Sequence, residues 1–126
     1  MAAPNPLLKK LHYKNQEPVL LLGLPPELKS LSKALGKTDG SPKEKYAFVL
    51  AFVKSLAEGE KLAKALPKHL EAKAVVWVAY PKGTSKKYQS DYNRDTGHAL
   101  MARQGLDGVS LVALDGDWSA MRFKLK

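Results

Sequence analysis

Residues 74–80 read Ala-Val-Val-Trp-Val-Ala-Tyr, seven positions without a charge, closed by Pro81. A run this continuous has no polar face to offer to water. It predicts a strand covered on both sides, as in a parallel sheet between helices. Two other runs share the pattern. Val19-Leu20-Leu21-Leu22-Gly23 lies between Pro18 and the Leu24-Pro25-Pro26 turn, and Tyr46-Ala47-Phe48-Val49-Leu50-Ala51-Phe52-Val53 follows a polar stretch over 37–45.

Working outward, each run is followed by a helical pattern. Leu24, Leu28, Leu31 and Leu35 recur at helical spacing, with Pro26 suited to a first turn and Gly36 to a stop. Asp39-Gly40-Ser41-Pro42 then reads as a loop. Ser55 stands three residues before Glu58, the capping-box spacing, so a helix is expected to about Leu66. Pro67 breaks it and leaves Lys68–Glu71 as a last turn. Ser90 or Asp91 caps a third helix ending at Gln104-Gly105. Ahead of all this, Leu7, Leu8 and Leu11 give a short amphipathic opening.

Two strands close the chain, Val109–Leu114 and Ala120–Leu125, joined by Asp115-Gly116-Asp117-Trp118-Ser119. So short a connection cannot make a parallel crossover, and the last strand must return antiparallel. In it Met121, Phe123 and Leu125 alternate with Arg122, Lys124 and Lys126, so one face is expected to be wet. Three strand–helix units predict an α/β, three-layer Rossmann-like sandwich, a single domain over residues 1–126.

Composition bounds the function. The 126 residues contain no cysteine, which excludes a disulfide framework, a thiolate zinc site and a cysteine nucleophile. No apolar run reaches the roughly 20 residues of a membrane span, and Pro4, Asn5 and Pro6 interrupt any signal-like start. A bacterial-type cytoplasmic setting is the expectation. The net charge is +9. Its excess is spread, +4 over residues 1–46, +2 over 47–81 and +3 over 82–126, and only Arg94, Arg103 and Arg122 are arginines. Dispersed lysine reads as solubility before nucleic-acid binding, the weaker alternative. One dense stretch, Lys82, Lys86 and Lys87 with Tyr80 and Tyr88, suits a phosphate backbone or a stacked base.

The element order resembles the second half of a class I S-adenosylmethionine-dependent methyltransferase, and the segment from Leu56 to Tyr80 resembles the corresponding helix and strand of those enzymes. The chain is also similar to a family of short, uncharacterised bacterial domains. The motifs that carry this are Leu20-Leu21-Leu22, Trp77-Val78-Ala79-Tyr80-Pro81-Lys82, and Asp115 through Phe123 with Trp118-Ser119 and Arg122-Phe123. The methyltransferase resemblance implies a truncated version of that fold with a five-stranded, mostly parallel sheet of order 1-2-3-5-4. The alternation in the last strand suits an edge and order 1-2-3-4-5; the inserted order is the expectation adopted.

Parallel sheets bind ligands beyond the carboxyl ends of their strands. The candidate ligand-binding residues there are Tyr80, Pro81, Lys82, Thr84, Ser85, Asp115 and Trp118. Asp115 and Asp117 flank Gly116, where turn chemistry accounts for both and an acid pair is the functional alternative. A methyltransferase needs a glycine-rich first turn and a carboxylate after the next strand. Here Gly23 is followed by Leu24-Pro25-Pro26, and Lys54 stands where the acid belongs. The expectation is a non-catalytic domain with no cofactor and no metal, since His12, His69 and His98 lack ligand spacing. It would bind a small anionic ligand or a protein partner. A divergent methyltransferase is the alternative. Asp91, Arg94 and Asp95 read as first-turn charges of the third helix, or as neighbours of an anion held by Lys82, Thr84 and Ser85 at its N-terminus. Should the sheet begin at the first strand, its open edge invites a homodimer or coverage by residues 1–17.

Overall fold

A computed structural model describes residues 6–14, 16–35, 38–40 and 43–125. Gly36, Ser41, Pro42 and Lys126 lie outside the described residues, so the expected helix stop, part of the loop and the final lysine are not placed. The elements are α1 (Pro6–Lys10), β1 (Val19–Leu22), a 3₁₀ turn (Pro26–Leu28) leading into α2 (Ser30–Leu35), β2 (Tyr46–Phe52), α3 (Leu56–Ala65), a second 3₁₀ turn (Pro67–His69), β3 (Leu70–Pro81), α4 (Arg94–Arg103), β4 (Leu106–Ala113) and β5 (Trp118–Leu125).

The five strands form one sheet of order β1-β2-β3-β5-β4. Strands β1, β2 and β3 run parallel, and β5 lies antiparallel between β3 and β4. The three apolar runs are thus the parallel core, with Phe48, Val49, Leu50, Val76, Trp77 and Val78 fully buried. Helices cover both faces. On one side α3 and α4 close over Val49, Val76, Val78 and Phe123. On the other, Leu8, Leu11, Leu31 and Leu35 of the α1 and α2 region pack against Phe48, Leu50 and Trp77. The Trp77 indole donates to the Leu11 carbonyl at 2.7 Å and ties the first helix to the sheet.

Several boundaries differ from the sequence expectation. Strand β3 begins at Leu70, so the expected last helical turn over Lys68–Glu71 is a 3₁₀ turn ending at His69 and then strand. Residues 71–73 are exposed, and the strand there is set by the pairing of Leu70 with Tyr46. Helix α4 is capped by neither Ser90 nor Asp91. Asn93 accepts from the Thr96 backbone while Thr96 Oγ1 accepts from the Asn93 N–H, a reciprocal box that fixes the start at Arg94. Asp91 instead accepts from the Leu56 N–H at 2.8 Å, tying the loop to the first turn of α3. Ser55 caps α3 as expected, though Glu58 reaches back to the Lys54 N–H.

The alternating strand β5 is inserted, and the pattern has a different cause from edge exposure. Arg122 pairs directly with Trp77 on β3 and Ser110 on β4, which places it on the α1/α2 side of the sheet. Those short helices lie over Phe48, Leu50 and Trp77, and Arg122 and Lys124 are left partly wet. At the other end of the sheet Asp39 pairs with β1, exchanging backbone hydrogen bonds with Leu21 and Val19, so residues 38–40 lie along that edge. Among the described residues no helix is long and apolar enough to cross a membrane.

Candidate functional site

The carboxyl ends of β1 to β4 and the start of β5 meet at one edge. Gly23 turns the chain out of β1 at φ +66°, the left-handed region that glycine tolerates. A Cβ there would stand 2.8 Å from the Phe52 carbonyl oxygen. Its freedom lets β1 approach β2. Pro25 and Pro26 then open a 3₁₀ turn whose buried Leu28 anchors it, and Glu27 projects from that turn.

Three donors converge on Glu27. Lys87 Nζ approaches Oε2 at 2.7 Å; the Tyr88 hydroxyl and the Trp118 indole N–H, the latter at 3.2 Å, both donate to Oε1. Trp118 is fully buried, its ring edge-on to Phe52 at 5.3 Å and tilted against Tyr88 at 5.0 Å. Lys54 and Lys87 place their ammonium groups 5.2 Å and 5.6 Å from the Tyr88 ring centroid. Hydrogen bonds from Lys87, then Tyr88 and Trp118, hold the Glu27 carboxyl down at about 2. The same contact with Glu27 pushes the Lys87 ammonium and the Tyr88 phenol up.

The loop after β3 is braced independently of Glu27. Ser85 Oγ donates to Asp117 at 2.7 Å and accepts from the Lys87 and Tyr88 amides, and the Lys82 N–H donates to the Asp117 carbonyl at 2.8 Å. Asp115 accepts from the amides of Asp117 and Trp118, which is the turn role its sequence suggested.

The structure therefore brings together Ser85 and Trp118 of the expected set through Asp117 and Tyr88, with Pro81 paired to Trp118 across the sheet. Lys82 is half-buried and Thr84 exposed on the same loop. Tyr80 is turned to the opposite face, where it meets Tyr92 at 5.3 Å between strand and helix, and its phenol is pushed up by burial. Trp118 packs on Phe52 and Tyr88. The N-terminus of α4 is occupied by its own Asn93 and Thr96, with Arg94 and Asp95 paired at 3.5 Å on the surface. Glu27 is the residue that sequence reasoning passed over. The signal was its place, one residue beyond the Leu24-Pro25-Pro26 turn at the ligand edge.

No protein-family model matches this chain, and no curated protein matches it. Solved structures do. It is similar to a SAM-dependent methyltransferase from Aquifex aeolicus at 12% identity, over 95% of this chain and 88% of that one, with a TM-score of 0.71. The fold is that of the class I methyltransferases. It is also similar to the CcbJ methyltransferase from Streptomyces caelestis, at 11% identity over 86% and 89% of the two chains and a TM-score of 0.59. The structure of LepI in complex with SAM matches at 15% identity and a TM-score of 0.56; 95% of this chain covers 39% of LepI. At these identities the likeness is one of fold.

Against that fold, the residues after β1 do not fit the cofactor. Pro25 and Pro26 offer no N–H, the one glycine is packed on Phe52, and Val53-Lys54-Ser55 after β2 carries no carboxylate for a ribose. Glu27 accepts there from Tyr88 and Trp118.

Proposed function

We propose that this chain is a methyltransferase-fold domain that binds a small anionic ligand at its carboxyl edge and does not carry out methyl transfer itself. The observation that supports it most is the pair of ammonium groups, Lys54 and Lys87, over one tyrosine ring at the edge where α/β sheets take ligands. Trp118, Ser85 and Asp117 hold that ring's loop in place, so the cations are positioned before a ligand arrives. Thermal shift and calorimetry against nucleotides, phosphates and carboxylic acids test it. Stabilisation by one class, weakened in Lys54→Ala and Lys82→Ala, supports the reading; silence across the panel in both the native chain and Glu27→Ala removes it.

A divergent S-adenosylmethionine-dependent methyltransferase is the second reading, and the fold likeness to the Aquifex aeolicus enzyme speaks for it more directly than for the first. Fold by itself does not carry activity. Calorimetry with S-adenosylmethionine and S-adenosylhomocysteine separates the two: heat of binding at millimolar ligand favours the enzyme, and its absence leaves the anion site.

A further inference from the structure

The contacts around Glu27 have the form of a ligand complex whose ligand is part of the chain. A carboxylate accepts hydrogen bonds and gives none. Here one carboxylate is met by an ammonium, a phenol and an indole N–H from the far side of the sheet edge. An indole is a donor only and an ammonium donates three times, so this set matches an anion and not a cation.

Two of the donors, Trp118 and Tyr88, have supports other than Glu27. Trp118 is held by its place in β5, by the Asp115 bond to its amide and by Phe52. Tyr88 is held by Ser85 and by its ring contact with Trp118. Glu27, by contrast, comes from a three-residue 3₁₀ turn that follows two prolines and is anchored by Leu28. The contact is also reachable from solvent, the Lys87 and Glu27 side chains being 57% and 21% exposed.

We propose that Lys87, Tyr88 and Trp118 form a carboxylate-binding site which Glu27 fills in cis, and that a ligand carboxylate enters by taking the place of Glu27. The tethered Glu27 competes at an effective concentration in the millimolar range or above. Free carboxylates therefore meet a masked site in the native chain, and a ligand must bring further contacts, for which Lys54 stands over the Tyr88 ring.

Acetate is the probe, and the indole N–H resonance of Trp118 in the full chain is the readout. In Glu27→Ala, acetate is expected to shift that resonance with an apparent affinity at least about tenfold tighter than in the native chain, by removal of the intramolecular competitor. Adding Tyr88→Phe to Glu27→Ala weakens the response. Glu27→Gln, which keeps the size of the side chain but not its charge, serves as a second variant should Glu27→Ala fail to fold, and acetate displaces its neutral amide more readily than the native carboxylate. The proposal is overturned if acetate moves the Trp118 resonance no more in the folded variants than in the native chain, or if sodium chloride at equal ionic strength does the same. The inference rests on the anionic-ligand reading. An anion that binds the native chain and both variants alike, without touching the Trp118 resonance, sustains that reading and removes this one.

Discussion

The indole N–H of Trp118 donates to the carboxylate of Glu27 at 3.2 Å, across 91 positions of sequence. One bond thereby links the loop leaving β1 to the first residue of β5, with β2 and β3 between them in the sheet. The loop over residues 82–88 is drawn into the same cluster through Lys87 and Tyr88. Replacing Glu27 by Gln removes the charge that all three donors serve. Hydrogen exchange at the Lys87 and Tyr88 amides, bonded to Ser85, is expected to stay as slow as in the native chain, because Ser85 and Asp117 brace that loop. Faster exchange at residues 87 and 88 would show that Glu27 also holds the loop.

Acidification reads the same cluster. Its donors favour ionised Glu27, whose carboxyl sits at about 2 against an ordinary 4.5. A lowered carboxyl adds stability that is complete above pH 4.5 and drains as pH falls toward about 2. At the basic end Lys87 and Tyr88 are raised, so their contribution is complete below their ordinary values of 10.5 and 10.0 and is lost as pH climbs through the raised ones. Fluorescence of Trp118 in Trp77→Phe should show an acid transition below pH 4.5 that Glu27→Gln abolishes.

Tyr92 is wedged between the two helices of one face. A Cβ on Gly59 of α3 would stand 2.6 Å from Tyr92 Cε2, and one on Gly97 of α4 would stand 2.6 Å from Tyr92 Cε1. Gly97→Ala or Gly59→Ala is expected to destabilise by roughly 1–3 kcal/mol in urea unfolding, the usual cost of overpacking. Gly116→Ala, with nothing within 4 Å of its Cβ, is the comparison and should stay within about 0.5 kcal/mol. Equal losses at all three sites would refute the wedge.

Trp77 anchors the opposite face. Trp77→Phe leaves the Leu11 carbonyl without its indole donor and opens space in a fully buried position. A cost of about 1–3 kcal/mol is expected from the unpaired carbonyl, before any cavity term. Truncation of the first helix should then cost less in Trp77→Phe than in the native chain, because the two changes remove one shared contact. Strict additivity would mean that α1 is held by Leu8 and Leu11 packing alone.

Much of this architecture was legible in sequence because burial on both sides erases polar positions. The stretches 19–22, 46–52 and 74–80 carry no charge, and their parallel pairing follows from the helices between them. The short link at Asp115–Asp117 likewise forced β5 to turn back. Local pattern failed where a distant partner decided the outcome. Leu70–Lys73 became strand through pairing of Leu70 with Tyr46, and Asp91 left its apparent capping position for Leu56. The site was half visible: positions beyond the strand ends marked Ser85 and Trp118, but nothing local to Glu27 tells that its partners lie 60 or more positions away. Tyr80 was misdirected because a residue at a strand end can face either side of the sheet, and alternation from Trp77 places it toward Tyr92.

The carboxyl edge is closed by Glu27 bonded to Trp118. With only two tryptophans in the chain, Trp77→Phe leaves a single indole N–H resonance to follow by NMR. That resonance is expected to be protected from exchange with water, to shift as pH falls toward the Glu27 value of about 2, and to lose both properties in Glu27→Gln. An indole N–H that exchanges as freely as an exposed tryptophan at neutral pH, or one indifferent to Glu27→Gln, would contradict it.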